Sequence, residues 1–379
     1  MEKIKALWLC NSGVGQSETF LMDSINLLSS DFELSVVCGA TSARAMDGFY
    51  YGGFGSIPLR KRHTLVKKVF GFDRHLQLQQ RKCVGDVVKV LGGDRPNFVW
   101  LEFGTTAWIA KEILEALAVP YFINVHGYDI TSAFKSDSYR EGFVELANKS
   151  SAVICASNHT KMLCQLAGID TDRLRVIRYA IDEARFPELQ LKTSHPSFVH
   201  FGRLTDKKGP LITLEAFALV VAEHPQAQLT FVGDGPLLSQ LKERIGNYGL
   251  EDSVQVLPGM DWNDGMTLVS RHWVYCQHSV TALDGDQEGF ALSPAEAAVL
   301  GLPVVSTWHN GIPEHVLHGE TGLLSREHDF ETMARHMMEL IVDESIRQEM
   351  GRKGRENILR MCNPSTRRQI LVDLIQSYL

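Results

Sequence analysis

Short apolar runs of five or six residues, rich in Val, Ile, Leu and Phe, alternate along this chain with longer stretches of helical periodicity. This alternation constrains the fold more than any other feature. A strand buried on both faces reads as a continuous apolar run, and parallel sheets covered by helices bury their strands in that way. The runs predict strands over residues 4–10, 33–38, 97–102, 121–125, 152–156 and 174–177. After a polar stretch bounded by Pro187 and Pro196 the alternation restarts, with strands over 197–201, 228–232, 254–257, 273–276 and 303–306. A chain of 379 residues exceeds one ordinary domain. We therefore expect two α/β domains, residues 1–190 and 191–362, with residues 363–379 as a helix crossing back to the first. Open parallel sheets bind ligands beyond the carboxyl ends of their strands, so two of them facing each other imply a central cleft.

Composition narrows the class. With 44% hydrophobic and 22% charged residues the chain reads as soluble and globular. No window supplies the 18 or more apolar residues of a membrane span, and the first residues carry no signal-peptide pattern. A cytoplasmic location is the expectation. Seven cysteines without any C-x-x-C pair suggest buried thiols, not a disulfide framework or a zinc site. Within residues 59–82, Arg60, Lys61, Arg62, Lys67, Lys68, Arg74, Arg81 and Lys82 face one acid, Asp73, and interleave with Leu59, Val66 and Phe70. Such a stretch can dock peripherally on the anionic inner face of a membrane or admit a lipid-diphosphate acceptor; a solvated loop and helix face is the plainer reading. A net charge of -7 argues against nucleic acid as a partner.

The loops after the strands carry the chemistry. The first strand runs into Asn11-Ser12-Gly13-Val14-Gly15-Gln16-Ser17-Glu18. Gly13 and Gly15 would let backbone N–H groups approach a phosphate, but Glu18 stands where a dinucleotide fingerprint needs Gly or Ala, and its carboxylate would repel a pyrophosphate. A turn lining the cleft is the better reading. In the second half, Gly202-Arg203-Leu204-Thr205-Asp206-Lys207-Lys208-Gly209-Pro210 sets cations beside a helix N-terminus, which suits a dianionic group such as a diphosphate. Further on, Glu288 and Glu296 lie eight positions apart, roughly 12 Å along a helix, a spacing that can hold two ends of an extended ligand. Ser293-Pro294-Ala295-Glu296 also reads as a capping box, unless the helix starts nearer Ala291. Asp284-Gly285-Asp286 offers oxygen ligands of the kind Mg or Mn accept.

The Glu288-Gly289-Phe290 start and the gap to Glu296 resemble the signature of glycosyltransferase family 4, retaining nucleotide-sugar transferases of GT-B architecture. The resemblance spans nearly the whole chain, through Ser17-Glu18-Thr19-Phe20, His126-Gly127-Tyr128-Asp129, Gly202-Arg203 with Lys208-Gly209, Val232-Gly233-Asp234-Gly235-Pro236 and Gly311-Ile312-Pro313-Glu314. It implies two Rossmann-like domains with parallel sheets facing a central cleft, the first binding the acceptor and the second the nucleotide-sugar. It implies that Arg203 and Lys208 grip the donor diphosphate and neutralise charge on the leaving group. Glu288 would orient donor-sugar hydroxyls, and the backbone of Gly289, Phe290 and Ala291 would approach sugar and phosphate, where the family often has Gly in place of Ala291. Glu296 would take the ribose hydroxyls, and Gly13, Gly15 and Gly233 would line the donor site. His126 would lie beside the donor sugar near the reacting centre. Glu18 and Asp129 would touch the acceptor weakly, with bracing of its loop as the better reading for Asp129.

Because Arg203 and Lys208 supply the charge a metal would, the resemblance implies neither cofactor nor catalytic metal. The Asp-Gly-Asp run resembles a bacterial subgroup acting in polysaccharide and aminocyclitol pathways. The expected function is transfer of a sugar, with retention, from a nucleoside-diphosphate-sugar to a hydroxyl of a glycan, a lipid-linked sugar or a small molecule. Two other readings remain: a non-catalytic partner subunit that kept the fold, and a sugar epimerase or phosphorylase of the same architecture.

Overall fold

The computed structural model describes residues 3–11, 19–38, 50–51, 83–85, 87–88, 90–188 and 190–379. The chain divides into two units, Met1–Ala180 together with Pro364–Leu379, and Ile181–Asn363. Among the described residues the first unit holds a seven-stranded parallel sheet of β1 (Lys5–Cys10), β2 (Glu33–Cys38), β3 (Tyr50–Tyr51), β4 (Phe98–Glu102), β5 (Tyr121–Val125), β6 (Ala152–Cys155) and β7 (Leu174–Val176), in the order β3-β2-β1-β4-β5-β6-β7. Successive side chains of a strand point to opposite faces, and here both faces are covered. Leu7 and Leu9 pack with Val99, Leu101, Ile123 and Val125 on one side. Ala6, Trp8 and Cys10 pack with Phe98, Trp100 and Phe122 on the other. That double burial is why the strands read as unbroken apolar runs.

The helix Pro364–Gln376 belongs to this first unit, where Leu371 and Ile375 are fully buried against the Trp8 face. Its Arg367 donates to the carbonyls of Ile177 and Arg178, and Arg368 pairs with Asp31. Burying each of those two aliphatic side chains contributes roughly 1.5–3 kcal/mol, enough to hold a chain terminus in place.

The second unit repeats the plan with β8 (Ser197–Phe201), β9 (Gln228–Val232), β10 (Val254–Leu257), β11 (Val274–Cys276), β12 (Val304–Thr307) and β13 (Gly322–Ser325), ordered β10-β9-β8-β11-β12-β13 and parallel throughout. Phe198, Leu229, Phe231, Val274 and Val305 pack against Leu214 and Phe217 of the helix Pro210–Glu223 and Met333 and Met337 of the helix Phe330–Val342.

Three features depart from the sequence expectation. The unit boundary falls at Ala180/Ile181 and not near residue 190, because Ile181 N–H donates to the Cys362 carbonyl (2.8 Å) and Glu183 pairs with Arg355, which ties this stretch to the second unit. Strands β3 and β13 were not anticipated; the first is two residues long, and the second opens on a glycine at a sheet edge. All seven cysteines are free and buried. Among the described residues no helix is long and apolar enough to cross a membrane.

In each sheet the strand order reverses at one place, between β1 and β4 in the first unit and between β8 and β11 in the second. The loops leaving the carboxyl ends of strands diverge there and open a crevice, which is where ligands of such sheets bind.

Candidate active site

At the β8/β11 reversal, three loops meet backbone to backbone. Gly209 has φ 56°, and a Cβ there would stand 1.9 Å from the His278 carbonyl oxygen. Gly233 has φ 143°, and a Cβ would stand 2.0 Å from the Gly202 carbonyl oxygen. Only glycine permits such approaches, so these residues let the loops after β8, β9 and β11 close on one another.

The closure brings Lys208 to the acidic loop. Lys208 Nζ lies 3.1 Å from Glu288 Oε1, and Lys207 Nζ lies 3.1 Å from Asp286 Oδ2. The Lys208 and Glu288 side chains are only 12% and 10% exposed. Burial alone would raise the Glu288 carboxyl, but the ammonium of Lys208, and then that of Lys207, outweighs it and holds the group at about 2. Glu288 is therefore a carboxylate at neutral pH. Arg203, from the same loop as Lys208, is exposed, and among the described residues it makes no side-chain ion pair. Its guanidinium is available to an incoming anion.

A second layer fixes Glu288. Its backbone N–H donates to His309 Nε2 (3.2 Å), and His309 Nδ1 lies 2.6 Å from Glu327 Oε1. Since Nε2 accepts, the fully buried His309 carries its ring proton on Nδ1 and donates it to Glu327. Glu327 Oε2 accepts the Thr281 N–H (2.8 Å), while Asn310 Nδ2 donates to the Glu288 carbonyl (3.1 Å) and to Gln287 Oε1 (2.9 Å). Sequence reasoning missed both His309 and Glu327.

The helix Leu292–Val299 begins after Ala291, whose φ is 61°. Ser293 thus lies inside the helix and Ser293-Pro294-Ala295-Glu296 is not a capping box. Glu288 precedes the helix, so the ~12 Å helical spacing to Glu296 does not apply. The left-handed backbone at Ala291 explains why Gly suits that position. Phe290 is buried, and its carbonyl accepts from His315 Nε2 (2.7 Å). Glu296 Oε1 accepts the Trp262 indole N–H (2.8 Å), and Trp262 is itself packed by Phe186 and Arg185.

The Asp284-Gly285-Asp286 run does not form a cation cage. Asp286 is engaged by Lys207, and Asp284 Oδ1 accepts the Asp286 N–H (3.0 Å). Among the described residues no group of three or more His, Cys, Asp or Glu could hold a metal ion.

The first unit gathers a separate cluster at the ends of β4 and β5. Asp129 is completely buried, and its two oxygens accept the N–H groups of Gly104 (2.8 Å), His126 (3.0 Å) and Gly127 (2.9 Å). Asp129 thus braces its loop through three backbone N–H groups. His126 Nε2 lies 2.8 Å from Glu102 Oε2, and its Nδ1 lies 2.5 Å from the Tyr179 hydroxyl. The rings of Phe103 and Phe20 sit 4.5 and 4.8 Å from the imidazole. Phe103 holds φ 72°, a conformation that costs a bulky residue about 1–3 kcal/mol and tends to persist at functional sites. Glu102 was missed as a site residue, although a carboxylate closing a predicted strand was a usable signal. Gly13, Gly15, Glu18 and the basic segment 59–82 lie outside the described residues.

With this geometry in hand, the chain can be set beside known proteins. Residues 182–357 match the family model for glycosyl transferases group 1. The putative colanic acid biosynthesis glycosyltransferase WcaL of Salmonella typhimurium is 27% identical over 66% of this chain and 63% of its own length. The amylovoran biosynthesis glycosyltransferase AmsK of Erwinia amylovora is 28% identical over 63% of this chain and 60% of its own. The chain thus spans about three fifths of the length of these curated relatives. Among solved structures, Anabaena HepE in complex with UDP and glucose superposes with a TM-score of 0.76 at 20% identity, covering 99% of this chain and 100% of that one. Sucrose-phosphate synthase from Thermosynechococcus elongatus gives 0.79 at 16%, covering 99% of both chains. At these identities the likeness shows the fold, which is GT-B.

Proposed function

We propose that this chain, whose residues 182–357 match the family model for glycosyl transferases group 1, is a retaining glycosyltransferase that moves a sugar from a nucleoside-diphosphate donor to a hydroxyl acceptor. The observation that carries the proposal is the buried Lys208–Glu288 pair beside the exposed Arg203, which makes no side-chain ion pair among the described residues, at the β8/β11 reversal. A diphosphate arriving there meets an exposed guanidinium and an ammonium already desolvated, so both can follow the charge that grows on the leaving phosphate. Glu288, ionised and rigidly held through His309 and Asn310, accepts from donor-sugar hydroxyls. Glu296, held by Trp262, accepts from the ribose. The sugar C1–phosphate oxygen bond breaks, a C1–oxygen bond to the acceptor forms on the same face, and the departing phosphate takes the acceptor proton. His126, by its place in the family motif, contributes a polar contact to a sugar or acceptor hydroxyl.

Neither a cofactor nor a metal enters this scheme, which the engagement of Asp284 and Asp286 within the protein supports. The printed names of the relatives, colanic acid and amylovoran biosynthesis, favour a carbohydrate acceptor, glycan or lipid-linked, and the UDP bound by HepE favours a nucleoside diphosphate. The test is release of nucleotide from a panel of donor sugars with and without bacterial glycan and lipid-linked acceptors, followed by the anomeric configuration of the product. Release that requires acceptor and yields a retained linkage supports the proposal. Tight nucleotide binding without turnover across the panel would instead identify a non-catalytic subunit, and sugar inversion at a ring carbon without transfer an epimerase.

A further inference from the structure

Glu102 closes β4 at the strand-order reversal of the first unit, and it is completely buried. Such a carboxylate needs every lone pair satisfied, and here four donors converge on it. Oε1 accepts from the Ser24 hydroxyl (2.7 Å) and the Trp100 indole N–H (2.9 Å). Oε2 accepts from Asn124 Nδ2 (2.8 Å) and from His126 Nε2 (2.8 Å). Indole N–H and amide NH2 groups can only donate, so the arrangement suits an ionised carboxylate and obliges His126 to present a proton on Nε2. In the neutral ring the other nitrogen, Nδ1, is then a lone-pair acceptor, and the Tyr179 hydroxyl 2.5 Å away is placed to donate to it. Three aromatic rings, of Phe20, Phe103 and Tyr179, hold the imidazole plane. The strained backbone of Phe103 is spent on keeping one of them there.

We infer that Glu102 is a positioning residue for the transfer reaction: it locks His126 in the Nε2–H tautomer so that the single lone pair of Nδ1 accepts from one hydroxyl at a time, that of Tyr179 in this structure and, once Tyr179 is displaced, that of a sugar or acceptor. His126 is in this account an acceptor toward hydroxyls, never a donor to them. The inference rests on the transferase reading above, but its first readout does not.

Glu102→Gln makes the test sharp. The Trp100 indole cannot reverse its polarity, so the new amide must turn its oxygen toward Trp100 and its NH2 toward Asn124 and His126. Asn124 can flip to accept, and His126 Nε2 must accept as well, which drives the imidazole to the Nδ1–H tautomer. Nitrogen NMR of protein carrying labelled histidine reads this directly. The expected result is Nε2–H in the wild type and Nδ1–H in Glu102→Gln. The variant should also show a kcat lower by about tenfold or more with donor KM within about threefold, because KM then reports a donor site that Glu102 does not touch. A proton on Nδ1 in the wild type, whether as the single tautomer or in a doubly protonated ring, overturns the inference even if the variant fails to fold. So does a folded variant that keeps the Nε2–H tautomer, or one that switches tautomer with kcat unchanged. Absence of acceptor-dependent turnover in the wild type sinks the transferase reading instead, and leaves the tautomer result standing as a separate outcome.

Discussion

Replacing Lys208 by Met keeps most of the side-chain volume and removes the charge that faces Glu288. The pair is 3.1 Å apart with side chains 12% and 10% exposed, so it escapes most of the screening that weakens surface ion pairs. At that distance and an effective dielectric near 20 the attraction is about 5 kcal/mol, partly offset by the cost of desolvating both groups. Proton linkage gives an independent figure. Glu288 titrates at about 2 in the fold against 4.5 ordinarily, which corresponds to about 3 kcal/mol of stability, present in full above pH 4.5 and lost as pH falls through about 2. With desolvation offsetting part of the first figure and Lys207 and His309 holding part of the second, a loss of about 3 kcal/mol at pH 7 is expected for Lys208→Met. For a unit the size of residues 181–363 this lowers the unfolding midpoint by roughly 6–12 °C. In the variant burial prevails and the Glu288 carboxyl rises, so the gap to wild type should narrow as pH falls below that raised value toward about 2. Calorimetric unfolding at pH 7, 5, 4 and 3 measures it. A gap below ~1 kcal/mol at pH 7, or one that does not change down to pH 3, would refute the reasoning.

Gly209→Ala should destabilise by ~2 kcal/mol or more, read as a denaturant midpoint, because the new Cβ meets the His278 carbonyl at 1.9 Å from a left-handed backbone. Ala291→Gly should do the opposite, gaining up to ~1 kcal/mol by relieving φ 61°; an unchanged or lower midpoint would contradict that. Turnover should survive exhaustive chelation, since Lys207 and the Asp286 backbone already occupy the Asp284-Gly285-Asp286 run. Loss of activity restored by Mg or Mn would count against the assignment of charge neutralisation to Arg203 and Lys208.

Much of the scaffold was legible because burial on both faces of a parallel sheet leaves a strong one-dimensional trace. Residues 33–38, 121–125, 197–201, 228–232 and 254–257 read from the sequence coincide with strands β2, β5, β8, β9 and β10. Of the four edge strands β7 and β10 were read, while β3, only two residues long, and β13, which opens on a glycine, were not. Within the candidate site, the cations of the loop after β8 and the acidic run before Ala291 were visible as charge beside glycine. What could not be read was pairing across distance. His309 and Glu327 act on Glu288 from 21 and 18 residues further along successive links of one hydrogen-bond chain. Trp262 reaches Glu296 across 34 residues. For Asp129 the sequence offered both a ligand contact and a brace of its loop; the complete burial and the three backbone donors on its oxygens are what a single sequence does not print.

The central claim is that the loops after β8 and β11 hold a nucleoside diphosphate, and Arg203 tests it most cleanly. Its side chain is exposed and makes no ion pair among the described residues, so Arg203→Ala should leave stability within ~0.5 kcal/mol. Calorimetric titration of UDP, GDP, ADP and dTDP into wild type and Arg203→Ala should show one nucleotide binding the wild type, and about tenfold weaker binding to the variant, a difference of ~1.4 kcal/mol. Binding of none of the four to the wild type, or equal affinity in the two proteins, would contradict the account.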